Sequence, residues 1–265
     1  MTPQWRTLEH AGSHLRCVDY GGDGRPVVLL HGLAGYGREW DDTAGWLPSG
    51  HRTIAPDQRG HGGSERRPAD LSRSAFVGDV AAWIEELGLA PAILIGQSLG
   101  AHTAFLTAAR RPDLVRALVV AEATPQADPG APGGVRAWLE RWPVPFATRD
   151  DAVAYFGGGS LWAHAWADGL EQTPDGLRPS FEIPVMLAAL DESSRESYWQ
   201  EWERIRCPTL VVHAAGGEGC PQLYRRMVDA LPEARLAEIQ DAGHDVHLDQ
   251  PARWRAAVEA FLATL

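Results

Sequence analysis

The segment Gly96-Gln97-Ser98-Leu99-Gly100 sets a small nucleophile between the two glycines that a sharp strand-to-helix reversal demands. Residues 92–95 ahead of it are an apolar run, and Ala101-His102-Thr103-Ala104 behind it is small and helix-compatible. A side chain at the tip of such a turn stands at a helix N-terminus, where free N–H groups and the helix dipole favour developing negative charge. Ser98 is therefore the expected nucleophile for attack on an acyl carbon. The tetrahedral oxyanion that follows needs about two N–H donors aimed at one point. The backbone N–H of Leu99 is one expected donor and that of Leu33 the other, with Gly32 letting the backbone approach the substrate closely. His31 reads as a brace for this loop rather than a catalyst.

A serine hydroxyl needs an imidazole within hydrogen-bond reach. His244 follows the run 235–239 by the short turn Gln240-Asp241-Ala242-Gly243 and is the expected general base, with His247 as the alternative. His102 reads as a packed or surface histidine. A carboxylate must then orient the imidazole and stabilise its charged form. The run 117–121 ends directly in Glu122, where desolvation is costly unless the charge has a partner. Glu122 is the expected acid; the alternative role is a structural carboxylate that accepts backbone N–H groups.

The elements that must hold these residues are legible as short apolar runs alternating with helical stretches. The runs are residues 27–30, 52–55, 92–95, 117–121, 210–213 and 235–239; the helical stretches are 74–87, 99–110, 222–231 and 251–264. That alternation predicts an α/β fold with a doubly wound, mostly parallel sheet, whose reactive edge lies beyond the carboxyl ends of the strands. Residues 126–204 break the rhythm with a loop-like opening and no convincing buried strand, which predicts a mainly helical cap inserted between core segments 1–125 and 205–265. Six of the 11 Trp fall in this insertion, in pairs at helical spacing: Trp138 with Trp142, Trp162 with Trp166, Trp199 with Trp202.

The 265 residues suffice for one large domain with an insertion. A net charge of −11 disfavours nucleic acid and anionic membranes as partners, leaving a small-molecule substrate and an open question of oligomer formation. All 24 basic residues are Arg, so lysine Schiff-base chemistry and pyridoxal-phosphate attachment are excluded. Cys17, Cys207 and Cys220 suggest neither a disulfide framework nor a zinc site, and no metal or cofactor is expected. No run approaches the ~18 apolar residues of a membrane span, and a soluble cytoplasmic protein is expected.

Four motifs in order carry a resemblance to the α/β-hydrolase superfamily: His31-Gly32, Asp57-Gln58-Arg59-Gly60-His61-Gly62-Gly63-Ser64, the Gly96 to Gly100 elbow, and Gly243-His244. The resemblance implies that the second motif is a structural loop, so Arg59 and His61 receive no catalytic role. It also implies an Asp after the run 210–213, where this chain has Ala214-Ala215-Gly216-Gly217-Glu218-Gly219. The acid is then either Glu218, from the same turn, or a residue moved to another strand end. Zearalenone-type lactone hydrolases resemble the chain in having Ser, Glu and His in that order, which supports Glu122.

The superfamily's dehalogenases and epoxide hydrolases use an Asp nucleophile, and its hydroxynitrile lyases a pocket Lys; this chain has Ser98 and no Lys. A hydrolase of a bulky apolar or aromatic ester or lactone is the expected function. Trp138, Trp142, Trp162, Trp166 and Trp199 are the expected substrate contacts, against the alternative that they pack the cap. A thioesterase, a carbon–carbon bond hydrolase, a biosynthetic cyclase and a non-catalytic receptor remain as alternative functions.

Overall fold

The computed structural model describes residues 3–47, 50–217 and 219–265. Its strands are β1 (Gln4–His10), β2 (Ser13–Gly21), β3 (Arg25–Leu30), β4 (His51–Asp57), β5 (Ala92–Gln97), β6 (Val115–Ala121), β7 (Leu170–Thr173), β8 (Gly176–Pro179), β9 (Thr209–Ala214) and β10 (Ala234–Ile239). Eight of them form one sheet in the order β1-β2-β4-β3-β5-β6-β9-β10. From β4 to β10 every pairing is parallel, whereas β2 runs antiparallel to both β1 and β4. This is the expected doubly wound α/β architecture.

The central parallel strands β3, β5, β6 and β9 are largely apolar because both faces are covered. Val28, Leu30, Leu94, Leu118, Val120 and Val211 point into one core layer, shared with helices Arg73–Glu86, Leu99–Arg110 and Pro221–Asp229. Their neighbours Val27, Leu29, Ile93, Ile95, Val119 and Val212 point into the other, under helix Pro251–Leu262. All six expected runs are strands, extended by a residue or more at one or both ends.

Two hairpins were not expected from sequence. β1 and β2 pair through the two-residue turn Ala11-Gly12, whose φ values of 48° and 75° make the left-handed hairpin turn. β1 is a largely exposed edge strand and so lacks an apolar run. The second hairpin, β7 with β8, lies within residues 126–204, where the remaining regular structure is helical. Helices Ala131–Leu139, Arg149–Tyr155, Leu161–Asp168 and Ile183–Arg195 supply residues to an aromatic cluster that closes over Leu33 and Ala34.

Strand order brings the reactive residues together. β5 lies between β3 and β6, so the residues after it face the loops after both neighbours. Ser98 N–H donates to Ala121 O at 2.9 Å, and Glu122 N–H to Val212 O at 3.1 Å. These bonds continue the sheet ladder one step past the strand ends and fix both residues there.

Candidate active site

Ser98 has φ 51° and ψ −118°, a left-handed conformation that an L side chain adopts only under strain of about 1–3 kcal/mol. The turn is tight enough to exclude side chains on either side. A Cβ on Gly96 would lie 2.5 Å from the Gly100 backbone, and one on Gly100 would lie 2.1 Å from Leu30 O. Both glycines of the elbow are thus required by steric contact with backbone.

The Leu33 loop packs against this elbow. A Cβ on Gly32 would fall 3.5 Å from Ser98 Cβ and 2.2 Å from Gln97 Oε1. Gln97 in turn donates from Nε2 to His244 O at 2.8 Å, tying the elbow to the His244 turn. Gly32→Ala is expected to push the Gln97 carboxamide aside and release that tie. We expect kcat to fall on the order of tenfold with folding retained, as read by steady-state kinetics beside a thermal melt.

His31 braces the loop as expected. Its Nδ1 lies 2.7 Å from Gly32 O, and its Nε2 accepts from Gln58 N–H at 2.9 Å. His61 packs edge-on against His31, and burial first, then the neighbouring His31 imidazole, pull its pKa down to about 3. Arg59 is buried in a two-bond pair with Asp79, both bonds 2.6 Å. The Asp57 to Ser64 loop is therefore tied to His31 and Asp79, and inside the loop Gly63 N–H donates to Asp57 Oδ2 at 2.8 Å and Ser64 Oγ to Asp57 O at 2.6 Å.

Glu122 is buried at the end of β6 with φ 52°, a second strained non-glycine residue on the same sheet edge. Its Oε1 accepts from Ala214 N–H at 2.6 Å and lies 3.3 Å from His213 Nδ1. Its Oε2 lies 3.6 Å from His244 Nδ1, with the His244 side chain 60% exposed and the Glu122 side chain 2%. A carboxylate enclosed by protein thus faces an imidazole open to solvent. The structure brings Ser98, Leu33, Leu99, Glu122 and His244 to one edge of the sheet. Glu218 lies outside the described residues.

His247 stands apart from this group. It stacks on Trp40 at 4.2 Å and places Nε2 3.4 Å from Glu39 Oε1, with its side chain 2% exposed. His102 is packed between Phe105 and Tyr198, and burial first, then Arg73 and Arg110, hold it well below the usual imidazole range.

The tryptophans divide between two clusters. Trp138, Trp142, Trp162 and Trp166 meet one another and Phe156 at ring separations of 4.9 to 6.2 Å. Trp199 instead joins Trp202 and Tyr198 against the core that contains helix Leu99–Arg110. A small cavity between the Leu33 loop and the first cluster is lined by Ala34, Tyr36, Glu39, Trp142, Trp166 and Phe181.

Sequence reasoning missed Asp245, the residue after His244. Its Oδ2 accepts from Trp162 Nε1 at 2.6 Å and from Trp166 Nε1 at 3.2 Å. Asp249, whose carboxyl is pushed up by burial and by Asp245, accepts from Gly243 N–H at 2.9 Å. Both carboxylates fix the turn that carries His244. Neither role was legible, because each depends on contacts made only in the folded chain.

A strained serine elbow, a facing loop with backbone donors and a carboxylate beside a histidine define a site of the α/β-hydrolase kind. The alpha/beta hydrolase family model matches residues 27–257, and the chain belongs to that family. It is 31% identical over 250 residues to a 2-(acetamidomethylene)succinate hydrolase of Mesorhizobium japonicum, covering 91% of this chain and 89% of the relative. It is 29% identical over 250 residues to the mouse sn-1-specific diacylglycerol lipase ABHD11, covering 89% and 80%. The crystal structure of an E-2-(acetamidomethylene)succinate hydrolase superposes with a TM-score of 0.90 at 23% identity, over 99% of this chain and 100% of that one. These relatives are hydrolases, and they support a hydrolase here. No helix among the described residues is long and apolar enough to cross a membrane.

Proposed function

We propose that the chain is a serine hydrolase of carboxylic esters or lactones, acting through an acyl-enzyme on Ser98. The observation that carries this reading is the 3.6 Å approach of Glu122 Oε2 to His244 Nδ1 beside the strained Ser98 turn. His244 Nε2 takes the Ser98 proton as Oγ bonds to the acyl carbon. The carbonyl π pair moves onto oxygen, where the N–H groups of Leu33 and Leu99 receive it. Collapse expels the alcohol, which leaves with the proton from His244. Water then repeats the sequence, frees the acid and restores Ser98. Glu122 stays ionised throughout and stabilises the imidazolium.

Residues 126–204 act in this reading as a cap over the site, and the Trp138, Trp142, Trp162 and Trp166 cluster faces substrate with part of its surface. The cavity beside Ala34 supports an apolar or aromatic group on the substrate, because most of its lining is ring and aliphatic surface. Trp199, packed in the other cluster, supports the site from behind.

A panel of esters, lactones and thioesters assayed with wild type and Ser98→Ala tests the reading. Bulky esters or lactones are expected to exceed acetate esters in kcat/KM by on the order of tenfold or more, from the additional apolar surface buried. A preference for acetate contradicts an apolar pocket. Turnover confined to amide-type compounds favours a second reading, suggested by the 31% identical hydrolase of 2-(acetamidomethylene)succinate, in which the same machinery cleaves a carbon–nitrogen bond.

A further inference from the structure

A carboxylate with 2% side-chain exposure must have its lone pairs filled if it is to stay ionised and hold one orientation. Around Glu122 that task falls to β9 and the helix Pro221–Asp229. Oε1 takes the Ala214 N–H at 2.6 Å and faces His213 Nδ1 at 3.3 Å, which leaves Oε2 for His244 at 3.6 Å. His213 is itself buried, and its ring lies flat on Tyr224, 4.3 Å away at an interplanar angle of 20°. Burial first, then the Glu122 charge and hydrogen bonding toward Glu122, push the Tyr224 phenol well above its ordinary value.

The glycine-rich turn after β9 is shaped around these groups. A Cβ on Gly217 would come within 3.1 Å of Glu122 Oε2, and one on Gly219 within 2.7 Å of the Tyr224 ring. Side chains are missing from this turn where Glu122 and Tyr224 take up the space.

We infer that His213 and Tyr224 are positioning residues, which orient Glu122 Oε2 on His244 and so tune the basicity of the catalytic imidazole. This rests on the proposed role of Glu122 as the acid. In this role His213 donates from Nδ1 to Oε1. Each donor draws charge from the carboxylate. Removing one leaves more charge facing His244, which favours the imidazolium and moves the acid limb of kcat/KM to higher pH. The titratable groups around Glu122 and His244 are His213 and Tyr224 beside Glu122, Cys220 beside Tyr224, and Asp245 and Asp249 beside His244.

The test compares full-length wild type with Tyr224→Phe, His213→Leu, His213→Asn and Glu122→Gln, using kcat, KM and the pH profile of kcat/KM on one activated ester. Tyr224→Phe keeps the ring that stacks on His213 and removes only the hydroxyl. It is expected to lower kcat on the order of tenfold at nearly constant KM and to move the acid limb up by about half a unit. His213→Leu does the same, and His213→Asn, which restores a donor near Nδ1, recovers most of the loss. Acid limbs unmoved in both Tyr224→Phe and His213→Leu, with Glu122→Gln inactive, overturn the positioning role and leave the acid assignment standing. A fully active Glu122→Gln overturns the acid assignment itself. If His213→Leu does not fold, Tyr224→Phe and His213→Asn decide the matter by the same limb.

Discussion

Ser98→Ala is expected to reduce kcat/KM for an activated ester on the order of 10⁵-fold or more, with KM little changed and the folded structure intact. The loss is large because the bond-forming atom itself is gone, and the surviving N–H donors and pocket can assist only direct attack by water. The substitution does not disturb the turn by adding bulk, since alanine is smaller than serine. The residue keeps its strained φ of 51°, and the Ser98 N–H to Ala121 O bond is made by backbone. A circular-dichroism melt beside the kinetics separates chemistry from folding. Residual activity within about a hundredfold of wild type is incompatible with an acyl-enzyme on this residue.

Glu122→Gln carries the second-largest expected effect, a loss on the order of 10⁴-fold in kcat. The surroundings explain why an amide cannot substitute for the carboxylate. Ala214 N–H donates to Oε1 at 2.6 Å and requires an acceptor there, so the amide oxygen takes that place and its NH₂ turns toward His244 Nδ1. That donor forces Nδ1 to accept, which puts the imidazole proton on Nε2 and leaves no lone pair for the Ser98 proton. The neutral amide also fails to stabilise the imidazolium. Glu218→Gln is expected to leave turnover near wild type. Loss of turnover in Glu218→Gln with near-wild-type Glu122→Gln assigns the acid to the turn after β9 instead.

The sheet was legible wherever strands are buried on both faces, because continuous runs such as Val27 to Leu30 and Ala117 to Ala121 carry that burial in their composition. β1 escaped notice for the opposite reason: it is an exposed edge strand of polar residues, marked only by the Ala11-Gly12 turn. The β7–β8 hairpin is short and half-buried, and its pairing is a local tertiary outcome. At the candidate site, Glu122 directly follows an apolar run and Ser98 stands three residues beyond one, so both could be picked out as candidates. Chain position alone places such residues on the reactive edge.

Partner choice is less local. Which oxygen of Glu122 meets His213 and which meets His244 depends on three strands and a helix meeting in space, and no spacing in the chain records it. Trp162 and Trp166 stood out as a helical pair, yet their common acceptor Asp245 lies 83 and 79 positions away. The pairing of Trp138 with Trp142 at a ring separation of 5.2 Å follows the i, i+4 spacing read from sequence. Its junction with Trp166, at 5.1 Å from Trp138, does not.

Intact-protein mass spectrometry after exposure to a fluorophosphonate shows whether Ser98 is an activated nucleophile. One adduct per chain is expected, mapped to the peptide containing Ser98, absent in Ser98→Ala and formed far more slowly in Glu122→Gln. No adduct on the folded wild-type protein, or an adduct that persists unchanged in Ser98→Ala, means that Ser98 is not an activated nucleophile.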